Sequence, residues 1–272
     1  MAARYTAFAR ATHRPVERRD APKELIDRRH DAGPFDIVGD VHGCRLELEA
    51  LLEALGYAPV EGVWAHPAGR RAVFLGDLVD RGPDVPGVLD LAMAMVARGA
   101  ALCVVGNHEA KLAKKLRGRD VRPTHGLAVS VAQIGAREAS YGDAVAAFVE
   151  ALPPHLVLDG GRLVVAHAGL AERFHGDGGT AARMFALYGD TTGKLDAGGL
   201  PERRDWAQDY RGAAVVVYGH TPVQRIAWVH GTLNVDTGCV FGGRLTALRW
   251  PERETVTVAA REKYWSSARF AG

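Results

Sequence analysis

Apolar positions along the first half of the chain set out an alternation of short strands and amphipathic helices. "FDIVG" (35–39) is an apolar run closed by glycine. Behind it Leu48, Leu51, Leu52 and Leu55 fall at i, i+3, i+4 and i+7, which predicts a helix over 45–55. "RAVFLG" (71–76) predicts a second strand, followed by a helix from Val85 to about Arg98 with Gly99 just past its end. "ALCVVG" (101–106) predicts a third, with a basic helix from about Glu109 to Leu116 behind it. Residues 126–152 read as helical with little punctuation.

The second half is richer in strands. "HLVLDGGRLVVAH" reads as two strands about a tight Asp159-Gly160-Gly161 turn. "AAVVVYGH" is a buried strand, and "RIAWVHGTLNVDTG", "RLTALRW" and "TVTVAA" are short strands with turn residues between them. The stretch from Gly169 to Gly212 is glycine-rich and weakly periodic, a connection long enough to expect function in it. Residues 10–33 are polar and strongly charged, with a short helix near Glu24–Arg29. The chain therefore divides into an N-terminal arm or linker (1–33) and one domain (34–272). The predicted fold is α/β, two facing mixed sheets flanked by helices.

Composition adds exclusions. Of 272 residues, 47% are hydrophobic and 24% charged, the balance of a globular protein, and a net charge of +2 supplies no global field for nucleic acid or membranes. No apolar run approaches the roughly 18 to 20 residues that span a bilayer. The N-terminal stretch has no continuous apolar segment of the signal-peptide kind. Cys44, Cys103 and Cys239 are scattered without a CxxC pair, which fits buried thiols in a reducing compartment. The expected location is the cytoplasm, with no membrane association.

The chemistry lies where the strands end. "GDVHG" (39–43), "GDLVDRG" (76–82), "GNHE" (106–109), "VVAHAG" (164–169) and "VVYGHT" (216–221) each close an apolar run with metal-binding side chains. Carboxyl ends of strands are where open α/β sheets build sites. Asp40, His42, Asp77, Asn107, His167 and His220 offer carboxylate, imidazole and amide oxygen and no thiol, a set suited to Mn, Fe or Zn. Six ligands exceed the needs of one catalytic metal and suit two, about 3.5–4 Å apart, sharing a carboxylate. Arg81 is placed to hold an anion. His108 is placed to protonate a leaving alkoxide, with Asp80 orienting its imidazole.

At these residues the chain resembles the calcineurin-like metallophosphoesterases, in their phosphoprotein phosphatase branch, from Phe35 to about Ala260. The resemblance implies that Asp40, His42 and Asp77 hold one metal and that Asp77, Asn107, His167 and His220 hold the other, with Asp77 bridging. It implies Arg81 on the phosphate and His108 on the leaving group, and two divalent ions, Mn²⁺ first, with Fe, Zn or Ni also fitting. "YGHTPV", "NVDTGCVFGGRLTALRWPERE", "GNHEAKL", "PTHGLA" and "FALYGDTTG" are further similar to the phosphatase module of bacterial polynucleotide kinase-phosphatase. In that likeness Asp236 matches an acidic active-site position, orienting a histidine or Arg81. The substrates implied are RNA ends carrying 2′,3′-cyclic or 2′/3′-phosphates, with kinase and ligase partner modules on another chain. "GDTTGKL" (189–195) lacks the spacing and the Ser or Thr of a P-loop and is set aside.

Two rivals share the metal chemistry: a protein Ser/Thr phosphatase and a symmetrical bis(5′-nucleosyl)-tetraphosphatase. A non-catalytic module that keeps only the fold should have lost a ligand, Arg81 or His108, and none is missing. Lys111, Lys114, Lys115, Arg117, Arg119 and Arg122 form a basic run near His108 that could hold a polynucleotide backbone. Phe174, Phe185, Tyr188, Trp206 and Tyr210 could stack a terminal base or pack as core.

Overall fold

The computed structural model describes residues 20–195 and 201–266. In chain order its strands are β1 (Asp27–Arg28), β2 (Phe35–Val38), β3 (Ala58–Val60), β4 (Val63–Ala65), β5 (Arg71–Phe74), β6 (Ala101–Cys103), β7 (His155–Leu158), β8 (Leu163–Ala166), β9 (Thr191–Leu195), β10 (Pro201–Arg203), β11 (Val215–Tyr218), β12 (Trp228–Val229), β13 (Thr232–Asn234), β14 (Arg244–Trp250) and β15 (Glu254–Ala259). The helices are α1 (Lys23–Ile26), α2 (Arg45–Leu55), α3 (Val85–Ala97), α4 (Asn107–Leu116), α5 (Leu127–Gly135), α6 (Ala139–Ala151), α7 (Thr180–Tyr188) and α8 (Trp206–Asp209).

Two mixed sheets, ordered β15-β14-β2-β5-β6 and β1-β7-β8-β11-β13-β12, carry the architecture. Side chains alternate across a strand, so each sheet turns every second residue inward. Phe35, Ile37, Val73, Leu75, Leu102 and Val104 meet Leu156, Leu158, Leu163, Val165, Val215, Val217 and Leu233 in one apolar layer. The outer face of the five-stranded sheet is covered by α2 through α6. The predicted α/β sandwich is the fold observed.

Asp36 is buried on that outer side, where an unpaired carboxylate would be costly. Arg70 donates to it from Nε at 3.1 Å and Nη2 at 3.0 Å, and Tyr57 from its hydroxyl at 3.1 Å.

Departures from the sequence expectations are local. The helical stretch 126–152 breaks at Ala136–Glu138, just past Gly135, into α5 and α6. Residues 20–33, read as arm, hold the buried Ile26 and place β1 in parallel register on β7. Two residues are too few to show a period. The long connection 169–212 contains α7, the β9–β10 hairpin and α8. Phe174, Phe185, Trp206 and Tyr210 pack with Val157, Val164 and Val216 as core on the outer face of the six-stranded sheet, so these rings stack on one another rather than on a base. No helix among the described residues is long and apolar enough to cross a membrane.

His155 on β7 is fully buried and accepts the Gly176 N–H at 3.0 Å. Burial, with His175 nearby, lowers its pKa from the ordinary 6.5 to about 4. The unfolded chain therefore binds a proton that the folded chain refuses. The resulting stability is intact above pH 6.5 and is lost as pH falls toward 4. That loss is expected to be on the order of 3 kcal/mol. Urea midpoints of wild type and His155→Gln, measured across this range, should converge as pH falls; parallel profiles would contradict it.

Candidate active site

Three parallel strands from each sheet, β2, β5 and β6 and then β8, β11 and β13, end on one rim. Asp40 and His42 follow β2, and Asp77, Asp80 and Arg81 follow β5. Asn107 and His108 open α4 behind β6. His167, His220 and Asp236 follow β8, β11 and β13 in turn.

Sharp turns are needed to expose these side chains, and the backbone shows it. His42 (φ 46°), Asp77 (47°), Asp80 (72°), Arg81 (71°) and His220 (73°) all lie in the left-handed region. Each costs roughly 1–2 kcal/mol outside glycine, so the surroundings must hold it. Gly106 leaves room for one of these turns: a Cβ there would sit 2.3 Å from Asp77 Oδ1.

Glu109, given no role in the sequence reading, does much of the holding. Its buried carboxylate accepts N–H bonds from Asp77 (2.7 Å), Leu78 (2.7 Å), Val79 (3.2 Å) and Gly106 (3.0 Å). Burial and the charge of Asp77 push this carboxyl up, while the N–H groups of Asp77 and Leu78 pull it down. With donors on both oxygens, it acts as an acceptor. The available signal was its third position in α4, where an acid caps the helix start. Glu109→Ala strands these buried donors. It should lower the unfolding free energy of the metal-free protein by about 3 kcal/mol or more in urea titration. An unchanged midpoint would contradict this role.

Donors and acceptors identify what the rim is built for. A backbone carbonyl can only accept, so Nδ1–H of His167 donates to Leu75 O (3.1 Å) and Nδ1–H of His42 to Val79 O (2.7 Å). Each ring then turns a lone pair on Nε2 into the site. Against that of His167 stand Asn107 Oδ1 at 2.9 Å and Asp77 Oδ1 at 3.4 Å, with His220 Nδ1 at 3.0 Å. Against that of His42 stands Asp77 Oδ2 at 3.6 Å. Asp40 Oδ1 is buried with no hydrogen-bond partner, while its Oδ2 accepts the His220 N–H at 3.1 Å. Acceptor atoms gathered this closely repel unless protons or cations sit among them. The residues present fit two divalent ions.

Asp77 belongs to both groups of side chains that could hold an ion, one with His42 and His108, the other with His167 and His220. Burial pushes its carboxyl up, but the four imidazoles pull it well below the ordinary range. Asp40 is raised by burial and by the charges of Asp236 and Asp77. Asp236 is pushed up to about 7 by burial and by Asp77, against the Gly238 N–H. Three buried carboxylates this close are relieved by cations.

His108 enters the first group where the sequence reading has Asp40. Its Nδ1 meets Asp80 Oδ2 at 2.5 Å, and Asp80 Oδ1 accepts the Ser130 hydroxyl at 2.5 Å. Arg81 donates from Nη1 to His42 Nε2 at 2.5 Å and from Nη2 to His108 Nε2 at 2.9 Å, with its guanidinium over Phe241. Arg203, which the sequence reading missed, stands by His220. Its Nη2 is 2.6 Å from His220 Nε2, and its Nε donates to Tyr188 O at 2.9 Å. The basic run is partly spent: Lys111 donates to Thr124, and Arg117 pairs with Asp143 and Glu150.

Comparison with known proteins places the chain. A bis(5′-nucleosyl)-tetraphosphatase PrpE [asymmetrical] of Geobacillus thermodenitrificans is 48% identical over 228 residues, covering 82% of this chain and 93% of that protein. The protein of that name from Halalkalibacterium halodurans is 46% identical, covering 84% and 94%. Among solved structures, a candidate diadenosine tetraphosphatase superposes with TM-score 0.63 at 24% identity, covering 86% and 97%. A protein serine/threonine phosphatase from Saccharomyces cerevisiae superposes with TM-score 0.60 at 15% identity, covering 96% and 87%. The structural likenesses show the fold alone. The finer likeness to polynucleotide kinase-phosphatase gains no support here, and the relatives carry the asymmetrical tetraphosphatase name where the rival reading had the symmetrical one. The profile of the calcineurin-like phosphoesterases matches residues 33–224, and this chain belongs to that family of metal-dependent phosphoester hydrolases.

Proposed function

We propose that the chain hydrolyses dinucleoside tetraphosphates asymmetrically, giving a nucleoside triphosphate and a nucleoside monophosphate. The substrate rests on one observation: relatives 48% and 46% identical along nearly their whole length are tetraphosphatases of that kind by name. The chemistry rests on the gathered lone pairs of the rim. Asp40, His42 and Asp77 would hold one divalent ion, and Asp77, Asn107, His167 and His220 the other, with Mn²⁺ the first choice for oxygen and imidazole donors. Two such ions lower the pKa of water and neutralise charge on the oxygens entering and leaving phosphorus.

The chain's own groups do the rest. The planar fork of Arg81 matches two non-bridging oxygens of a phosphoryl group. Asp80 holds the Nδ1–H of His108 and aims Nε2 into the site; once Arg81 has turned its Nη2 to the phosphoryl oxygens and Nε2 also carries a proton, His108 can give that proton to the oxygen released as the P–O bond breaks. Ser130 fixes Asp80 through two bonds, to its carboxylate and from its backbone N–H. Asp236 stands near Asp40, both beside Gly219, and its Oδ1 accepts the Gly238 N–H at 3.0 Å rather than a bond from a histidine or Arg81.

Product analysis tests the reading. Mn²⁺-loaded protein given diadenosine tetraphosphate should release ATP and AMP in equal amounts on anion exchange. ADP as the main product would show symmetrical cleavage. No nucleotide product would return the substrate question to RNA ends and phosphoproteins.

A further inference from the structure

Among the described residues one arginine, Arg70, is buried, and it is paired with acids. Arg70 lies on Asp36 and Glu252. Arg203 and Arg183 differ. Both are half-buried, and among the described residues neither meets a carboxylate. Arg203 spends its donors on the Tyr188 carbonyl and on His220 Nε2. Arg183 lies one and a half turns before Tyr188 on α7, with the Tyr188 phenol as its one favourable electrostatic neighbour. The phenol makes no hydrogen bond among the described residues, and it lies within the field of Asp77. Burial lowers the pKa of both guanidinium groups. Cations left half-desolvated and unpaired are costly unless an anion completes them.

Arg203 on His220, Tyr188 beside Arg203 and Arg183 beside the Tyr188 phenol thus link three donor groups to the His220 part of the site, while Arg81 serves His42 and His108. The contact of Arg203 with His220 is not permanent by chemistry. A neutral imidazole has one lone pair, and if Nδ1 takes a cation then Nε2 carries the proton. Arg203 can no longer donate there, and its Nη2 is freed for an anion.

We infer that Arg203, Tyr188 and Arg183 form a subsite for the three-phosphate arm of the substrate, and that this group sets the cleavage register. The inference deepens the tetraphosphate reading and rests on it for the identity of the arm. Asymmetrical cleavage leaves three phosphates on one side of the broken bond and one on the other. A group of two arginines and a phenol at the His220 part of the site suits that inequality. Arg183, joined to the site through Tyr188, contacts the distal phosphates.

The test uses Mn²⁺-loaded wild type, Arg183→Gln and Arg183→Lys with three probes: diadenosine tetraphosphate, p-nitrophenyl phosphate and inorganic tripolyphosphate as inhibitor. Arg183→Gln should raise KM for the tetraphosphate about tenfold, with a smaller change in kcat, from the loss of one charge-assisted contact. The inhibition constant of tripolyphosphate should rise in parallel. The loss on p-nitrophenyl phosphate, which has no phosphate arm, should be several-fold smaller, and Arg183→Lys should recover part of the binding. Equal losses on both substrates would overturn the subsite in favour of a structural role. So would an unchanged tripolyphosphate constant in Arg183→Gln. If wild type hydrolyses p-nitrophenyl phosphate but not the tetraphosphate, the proposed substrate fails. The tripolyphosphate constants then decide the subsite alone, a rise supporting it and no rise overturning it.

Discussion

Asp77→Asn is expected to lower kcat by at least about 10³-fold and to remove most of the bound metal. Among the described residues, Asp77 is the one carboxylate grouped both with His42 and with the His167–His220 pair. An amide keeps one oxygen of the pair but loses the charge that four imidazoles surround. The fold should survive. Asp77 Oδ1 accepts the His108 N–H at 3.1 Å, and an asparagine oxygen can do the same. Relief of repulsion from Asp40 and Asp236 offsets what is lost, so chelator-treated wild type and variant should melt at similar temperatures. Mn²⁺ should then raise the Tm of wild type only, since a ligand stabilises by binding the folded state. Elemental analysis and melting curves together check this. A variant that keeps two metals per chain would remove Asp77 from the centre of the account.

His108→Asn carries the second large effect, and its size should depend on the leaving group. A general acid contributes typically 10²–10⁴-fold, most where the departing oxygen is a poor leaving group. For phenyl phosphate, whose phenolate is a poor leaving group, the fall in kcat should be about 10² or more. For p-nitrophenyl phosphate, whose phenolate departs readily, it should be at least several-fold smaller. The His108 imidazole is also close enough to His42 and Asp77 to join an ion there. The Asp80 contact at Nδ1, which orients the ring, favours the proton-transfer role. Metal content separates the two. His108→Asn should retain its metal, and loss of one ion with equal losses on both substrates would make His108 a ligand.

The sequence made the candidate ligands legible because each closes a strand, and parallel strands of facing sheets bring their carboxyl ends to one rim. Residues 90 positions apart, such as Asp77 and His167, needed no fold beyond that rule to be placed together. Glu109 was harder, since its work is done on backbone N–H groups that no side-chain pattern records. Arg203 and Arg183 were hidden for another reason. They lie in the glycine-rich, weakly periodic connection, and the nearness of Arg203 to His220 and to the Tyr188 carbonyl is tertiary.

Substrate choice was the least legible, and the tail shows why. "NVDTGCVFGG" builds a turn in which Gly238 (φ 71°) and Gly242 (φ 89°) are left-handed and Thr237 Oγ1 is bonded to Arg244 O and Thr246 Oγ1. These residues brace the rim beside Asp40 whatever the rim cleaves. A likeness carried by them reports the scaffold and not the substrate.

Competition among substrates tests the central claim most directly. The Mn²⁺-loaded protein should be given diadenosine tetraphosphate, an RNA oligonucleotide ending in a 2′,3′-cyclic phosphate and a phosphothreonine peptide in one buffer, with Asp77→Asn as the blank. The account predicts that kcat/KM is highest for the tetraphosphate by at least about tenfold. A higher kcat/KM for the RNA end or the peptide would leave the metal centre standing and contradict the proposed function.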